Sequence, residues 1–155
     1  MASDDLAKLN TAAVAALTTA QIRALTTGDD GQVAALSTDQ VVALKTAQVA
    51  ALTTAQVAAM QTDDLVKLTT SQVAALTTAQ VNALVADTQF AALTSTQLNA
   101  MTTAQVAALG TSQLSNLDTA QVALLETADV AVLGSAQLAS LSDDAISAMT
   151  TAQLR

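Results

Sequence analysis

Leucine or methionine returns every eight residues along nearly the whole chain. These residues stand at Leu9, Leu17, Leu25, Leu36, Leu44, Leu52, Met60, Leu68, Leu76, Leu84, Leu93, Met101, Leu109, Leu117, Leu125, Leu133, Leu141 and Met149. A second apolar residue, most often Val, precedes each of them by three positions. The commonest octad reads Thr-Ala-Gln-Val-Ala-Ala-Leu-Thr, and a nineteenth octad begins at Thr151. Such internal repetition predicts a repeat architecture.

Three local structures can be tested against this spacing. One continuous helix would turn through about 800° per octad, so the apolar pair would drift around the helix and could not be buried. In a strand, residues three apart point to opposite faces, and Ala is a weak strand former. In a short helix, residues three apart share one face. The spacing favours an all-α solenoid of about nineteen very short helices, with a β-solenoid as the alternative.

Two further positions of the octad refine this prediction. The Ala pair between Val and Leu, as in Ala50 and Ala51, is expected to let successive helices approach closely. The position two residues before the Gln always holds Ser, Thr or Asp, whose side-chain oxygens cap helix N-termini. The predicted caps are Ser3, Thr11, Thr19, Asp30, Thr38, Thr46, Thr54, Thr62, Thr70, Thr78, Asp87, Ser95, Thr103, Thr111, Thr119, Thr127, Ser135, Asp143 and Thr151. Because caps recur every eight residues, each octad is predicted to hold its own helix.

The repeat is interrupted twice. Three extra residues enter near residues 28–31, and one enters near residues 85–87. Each interruption places an Asp at the predicted cap position, so we expect the cap to be restored at once. The chain otherwise predicts a single repeat domain over residues 1–155. Its longest uninterrupted apolar run, Ala12 to Leu17, is far shorter than the roughly 20 residues of a membrane span, which predicts a soluble protein without a signal peptide.

The composition excludes several kinds of chemistry. The 155 residues include no His, Cys, Trp or Tyr and one Phe, and the net charge is -8. The chain therefore has no imidazole base, thiolate nucleophile or disulfide. Its acidic balance disfavours nucleic acid. Ser, Thr and Lys occur without a base or Gly-rich loop arranged around them, so we expect no enzymatic activity and no cofactor.

The Gln of the octad is its most conspicuous polar residue, present in fourteen octads. We predict that its amide bonds backbone groups at helix ends or a neighbouring Gln. The alternative is a row of amides that binds a polymer such as a glycan. A second repeated surface could come from the Thr that directly follows the Leu or Met, at positions 18, 26, 53, 69, 77, 94, 102 and 150, because regular Thr arrays can bind ice.

The paired acidic residues are expected mainly to favour the helix dipole at the start of an octad. The pair Asp29 and Asp30 differs, because it lies between Gly28 and Gly31 in the first interruption. These two carboxylates are weak candidates for a calcium site, although the loop lacks the alternating oxygen ligands of an EF-hand. A flexible loop that offsets the solenoid is the preferred interpretation.

Two stretches of nearly uniform octads, residues 44–59 and 68–81, resemble the tandem octapeptide regions of very large bacterial exoproteins, which are adhesin or haem-utilisation-related. The resemblance implies a secreted or cell-surface protein whose repeats act as a rod or stalk; a cytoplasmic location stays open. A haem role does not carry over, because the chain has no His, Cys or Tyr to ligate iron.

These observations predict a structural or scaffolding protein that acts as a spacer or binds protein partners, including a second copy stacked end to end. A surface that binds ice, glycan or calcium is the alternative. The spacing leaves open the number of octads per superhelical turn and the handedness.

Overall fold

The computed structural model describes residues 3–28 and 31–155, and within them every regular element is helical. The helices, each of four to six residues, are α1 (Ser3–Ala7), α2 (Thr11–Ala16), α3 (Thr19–Arg23), α4 (Thr38–Ala43), α5 (Thr46–Ala51), α6 (Thr54–Ala58), α7 (Thr62–Leu65), α8 (Thr70–Ala75), α9 (Thr78–Asn82), the π-helix π1 (Ala86–Phe90), α10 (Ser95–Asn99), α11 (Thr103–Ala107), α12 (Thr111–Leu114), α13 (Thr119–Ala123), α14 (Thr127–Ala131), α15 (Ser135–Leu138) and α16 (Asp143–Ser147). The described octads at 31–36 and 151–154 form turns instead. The all-α solenoid is confirmed, and the β-solenoid is wrong.

Helices three octads apart pack against one another. The helix α5 contacts α8, α6 contacts α9, and α11 contacts α14. Such short helices are not stable alone in water, so this packing between turns is what maintains them. The structure thereby gives the number of octads per superhelical turn, which lies between three and four.

The apolar pair of each octad forms one continuous core. The exposure of the two apolar positions differs between the first turn and the last turn. The Val position is fully buried at Val14, but Ile146 is 40% exposed and Leu154 is 62% exposed in the last turn. The Leu position shows the reverse, because Leu9 and Leu17 in the first turn are partly buried. The Val position therefore packs toward the following turn, and the Leu position packs toward the preceding one.

The Ala pair does not mediate the close approach of helices that the sequence suggested. Ala50 is exposed and Ala51 is half-buried. Val42 and Leu124, which replace Ala at these two positions in other octads, are 42% and 50% exposed. A helix of about six residues has one inward face, and the Val, Leu and Gln occupy it. The Ala pair lies on the outer side, where its high helix propensity still favours the fold.

The N-caps lie one residue earlier than the sequence analysis predicted. At α9 the cap is Thr77, whose backbone is extended and whose Oγ1 accepts from the backbone N–H of Gln80 at 3.2 Å. Thr78 is the first helical residue. A Ser or Thr cap bonds the residue three positions on, so the Thr-Thr-Ala-Gln sequence uses its first Thr.

The same correction applies along the chain. Fifteen predicted caps are the first residues of their helices: Thr11, Thr19, Thr38, Thr46, Thr54, Thr62, Thr70, Thr78, Ser95, Thr103, Thr111, Thr119, Thr127, Ser135 and Asp143. Side chains that do cap helices are Asn10, Thr18, Ser37, Thr53, Thr69, Thr77, Thr94, Thr102, Asp118 and Ser142. Ser3 is likewise the first residue of α1. In the last turn, Thr150 bonds the Gln153 N–H, which places Thr151 one residue inside the cap.

The first interruption is looped out of an octad that keeps its bonding pattern. Thr26 Oγ1 accepts from the backbone N–H of Gln32, and Gln32 Oε1 accepts from that of Thr26, both at 3.1 Å. Thr26 therefore occupies the cap position predicted for Asp30, which lies outside the described residues. Gly28 has a φ of 114°, and a Cβ on Gly31 would lie 2.7 Å from the Thr27 carbonyl carbon. The local backbone therefore requires glycine at both Gly28 and Gly31.

The second interruption is absorbed inside a helix. The segment Ala86–Phe90 forms a π-helical turn, in which the Phe90 N–H bonds the Val85 carbonyl at 2.9 Å. The wider turn takes up one extra residue and delivers Phe90 to the core, where it is fully buried. Asp87 is the second residue of this helix and does not cap it.

Neighbouring threonines test the corrected cap position. We expect Thr77→Ala to lower the free energy of unfolding by about 1 kcal/mol, because it removes the oxygen that bonds the Gln80 N–H. Thr78→Ala, one residue along on the exposed side of α9, should change it by less than about 0.5 kcal/mol. Urea unfolding followed by circular dichroism measures both. A larger loss for Thr78→Ala would restore the original assignment.

Candidate functional site

The Gln side chain closes the start of its own helix through its oxygen. Gln80 Oε1 accepts from the backbone N–H of Thr77 at 2.6 Å, while the Thr77 hydroxyl accepts from the Gln80 N–H. This reciprocal arrangement is a capping box. The bond from the N-cap N–H to the Gln oxygen is also present where the N-cap residue has no capping side chain, as at Lys45, Gly110 and Gly134. The Gln is therefore the more constant half of the cap.

The nitrogen of the same side chain reaches the previous turn. Gln80 Nε2 donates to the carbonyl of Val49 at 2.9 Å and to that of Leu52 at 2.7 Å, which lie 31 and 28 residues earlier. Carbonyls at the end of a helix have no partner within it. One amide thus joins the start of a helix to the end of another in the turn below.

Twelve glutamines at the Gln position of the octad make this inter-turn bond, and we call them the glutamine ladder; Gln61, which precedes α7, also donates to the Ala34 carbonyl of the previous turn at 3.0 Å. The twelve are Gln40, Gln48, Gln56, Gln72, Gln80, Gln89, Gln97, Gln105, Gln113, Gln121, Gln137 and Gln153. All but Gln137 are buried. Within the described chain, every buried side-chain nitrogen or oxygen has a hydrogen-bond partner. The predicted bonding of the amide to backbone groups at helix ends is confirmed, and the eleven buried ladder amides do not form a row at the surface.

The octads of the first turn depart from the ladder for a geometric reason. Asp5, Ala13 and Gln21 lie in α1, α2 and α3, beneath which no earlier turn is described. Gln21 is exposed and keeps its bonds with Thr18. Among the described residues, no carbonyl lies below this turn for an amide donor to bind, so no inter-turn bond of this structure is lost where Asp or Ala replaces Gln.

Two substitutions inside the ladder are chemically different. Asp64 and Asp129 stand where Gln is expected, and each is 3% exposed. Burial raises the pKa of Asp64, and the nearby Asp63 carboxylate raises it further. Burial also raises the pKa of Asp129, with a smaller lowering by a hydrogen bond from Thr103 and a further raising by Glu126. These buried carboxyls were not predicted from the sequence; the available signal was Asp at a Gln position within otherwise regular octads.

The remaining candidate residues do not assemble into a second site. Asp29 and Asp30 lie outside the described residues. Among residues 3–28 and 31–155, no three acidic side chains are grouped so that they could hold a metal ion. All eight Thr residues that directly follow the Leu or Met of an octad accept, through the side-chain oxygen, the backbone N–H of the Gln that follows: Thr18, Thr26, Thr53, Thr69, Thr77, Thr94, Thr102 and Thr150.

The helices are also short. Within the described chain, none is long and apolar enough to cross a membrane.

These features define a class of protein, a solenoid of single-turn helices joined by buried amides. The ALTTAQ repeat family matches the chain at residues 1–29, 29–62, 57–95, 90–125 and 122–155. The chain therefore belongs to the ALTTAQ repeat family. Each match covers about four octads, close to the distance over which a ladder Gln returns to the turn below. No curated protein and no solved structure matches the chain.

The ladder can be tested by removing one amide. Gln80→Ala should lower the free energy of unfolding by about 2–4 kcal/mol, because it removes one bond to Thr77 and bonds to two buried carbonyls. Gln21→Ala, which removes local bonds alone, should cost about 1 kcal/mol.

Gln80→Glu tests the two groups of the amide separately, because it keeps an acceptor oxygen and removes the donor nitrogen. Glutamate retains an oxygen for the Thr77 N–H but directs a carboxylate at the carbonyls of Val49 and Leu52. At neutral pH it should destabilise at least as much as Gln80→Ala. Urea unfolding measures all three variants, and equal losses for Gln80→Ala and Gln21→Ala would show that the inter-turn bonds contribute nothing.

Proposed function

We propose that this chain is a non-enzymatic structural repeat, a stiff spacer or scaffold within a bacterial surface or secreted protein. The observation that carries the proposal is the glutamine ladder, because it ties each turn to the next by hydrogen bonds as well as by apolar packing. An interior built this way resists both bending and sliding between turns. The resemblance of the octads to those of large exoproteins supports the surface or secreted setting.

The spacer function predicts a single, narrow end-to-end distance. The chain has no Cys, so cysteines introduced at the exposed Ala12 and Ala128 give two unique sites for spin labels. Pulsed electron paramagnetic resonance should show one narrow distance distribution. Duplication of residues 45–76, four consecutive octads without an insertion, should lengthen it by roughly 8–10 Å, the usual distance between packed helix axes, without broadening it.

Two outcomes would contradict the spacer. A broad distribution in the original chain would mean that the turns move relative to one another. An unchanged distance after duplication would mean that additional octads do not extend the stack. Gln80→Ala in the doubly labelled chain is the matched control, because it should broaden the distribution if the ladder provides the stiffness.

We also propose that the rods associate end to end, with a second copy as the partner. The last described turn exposes Leu154 and Ile146, beside a cavity lined by Val130, Leu138 and Met149. The following turn would cover these residues in the interior of the stack. At the other end, the exposed Gln21 amide lies beside a cavity lined by Leu17, Ala24 and Leu25. The two ends therefore present the two sides of the contact that repeats inside the chain.

Association should be concentration-dependent and should require the last turn. In sedimentation velocity from about 10 µM to about 1 mM, we expect the average mass to rise. Leu154→Glu should suppress the rise, whereas Leu124→Glu, a matched change on the side of the rod, should not. A constant monomer mass for the unmodified chain, or equal suppression by both variants, would contradict the proposal.

A further inference from the structure

The first turn (residues 3–25) and the last turn (residues 126–155) lack opposite halves of the inter-turn bond. Inside the stack, the carbonyl of the Leu position accepts a ladder amide, as the Leu125 carbonyl accepts from Gln153 at 2.8 Å. Among the described residues, no hydrogen bond reaches the corresponding carbonyls of the last turn, those of Leu133, Leu141 and Met149. The last turn therefore offers acceptors without a donor.

The first turn holds the missing donor. Gln21 has the same side chain as the ladder residues, and its Oε1 accepts from the backbone N–H of Thr18 at 2.8 Å, as in the interior. Its Nε2 has no hydrogen-bond partner in the described part of the chain, and the side chain is exposed. This amide lies beside the open cavity lined by Leu17 and Leu25.

The apolar residues of the two ends match in the same sense. The last turn exposes Ile146 and Leu154 at the Val position, which packs toward a following turn. The first turn leaves Leu9 and Leu17 partly buried at the Leu position, which packs toward a preceding turn. A first turn placed on a last turn joins the two positions that cover each other inside the stack, whereas two like ends join like positions.

Charge also disfavours contact between two last turns. Residues 126–155 contain four acidic side chains and one basic side chain, whereas residues 3–25 contain two of each. Two last turns would oppose two negatively charged surfaces, and like charges across an interface reduce affinity. A first turn on a last turn joins a neutral surface to a negative one.

We propose that this chain polymerises in one direction, first turn on last turn, and that Gln21 of one copy donates to the carbonyls of Ile146 and Met149 of the other. The inference rests on the end-to-end association proposed above and adds its direction and its bonding. Because the contact repeats along the axis of the superhelix, it does not close a ring, and growth is open-ended.

The interior repeat sets the register of this junction. A ladder Gln reaches the end of the octad four earlier, as Gln153 does at the Val122 carbonyl. When the octad of Ser3 in one copy follows the octad of Thr151 in the other, the octad of Gln21 is the fourth after that of α16. In this register α1 packs on α15 and α2 packs on α16, which are three octads apart like the packed helices of the interior.

The junction is weaker than a contact inside the stack. Of the Gln positions in α1, α2 and α3, Gln21 alone holds an amide, because the others are Asp5 and Ala13. The junction thus gains one ladder amide, and we expect it to form reversibly between folded chains.

Variants blocked at one end test the direction. Leu17→Glu places a charge at the outer side of the first turn, and Leu154→Glu does so at the last turn. Each variant alone should stay monomeric in sedimentation velocity at concentrations where the original chain associates. An equimolar mixture should form a species of two chains and none larger, because one intact first turn meets one intact last turn. Circular dichroism checks folding, and Gln21→Glu replaces Leu17→Glu if the latter is unfolded.

The outcomes separate the direction from the association itself. If the original chain associates but either variant forms dimers alone, like ends join and the inference is wrong. A mixture that stays monomeric would also overturn it, and so would an original chain whose mass stops rising at two copies. An original chain that stays monomeric throughout would overturn both this inference and the end-to-end association.

Replacing the donor tests the bond. Gln21→Glu keeps an oxygen for Thr18 but turns a carboxylate toward the carbonyls, so the association constant should fall by about tenfold or more. Ala20→Glu adds the same charge to α3 at a position that stays exposed inside the stack, as Ala79 does, and should leave association unchanged. An unchanged association constant for Gln21→Glu, or equal losses for the two variants, would overturn the assignment of Gln21 to the junction.

Discussion

The hydrogen bonds of the ladder amide address the main difficulty of building a protein from single-turn helices. Each helix leaves N–H groups unpaired at its start and carbonyls unpaired at its end, and a chain of seventeen described helices multiplies that cost. One Gln per octad bonds a cap N–H with its oxygen and end carbonyls with its nitrogen. Because the carbonyls belong to the preceding turn, closing the local termini also builds the superhelix.

These two roles of the Gln amide explain which irregularities of the repeat the fold tolerates. Both interruptions change the number of residues between the cap position and the Gln. Even so, Gln32 Oε1 still accepts from the backbone N–H of Thr26, and Gln89 Oε1 still accepts from that of Val85. Substitution of the amide itself is confined to the first turn and to Asp64, Asp129 and Ala145 within the stack. Spacing can therefore vary where the amide geometry is kept.

Much of this organisation can be predicted from the amino-acid sequence. The eight-residue period, the i and i+3 apolar pair and the recurrent Ser or Thr predict one short helix per octad, and the structure has seventeen such helices, with turns in the described octads at 31–36 and 151–154. The cap was misplaced by one residue, because Thr-Thr offers two adequate oxygens and the choice depends on the distance to the Gln N–H. Asp30 and Asp87 were assigned as caps on spacing alone, whereas Thr26 and Val85 take those positions once the chain loops out or widens.

Local sequence determined the helices, their apolar face and the absence of groups for thiol or imidazole chemistry, since these depend on neighbours within a few residues. The tertiary structure decided the return of the chain after three to four octads, which depends on packing between turns. It also decided the second partner of each Gln, because the carbonyls of Val49 and Leu52 are 28 to 31 residues from the Gln80 amide in sequence but within 3 Å in space. The burial of Asp64 and Asp129 follows from the same cause, because their surroundings come from other turns.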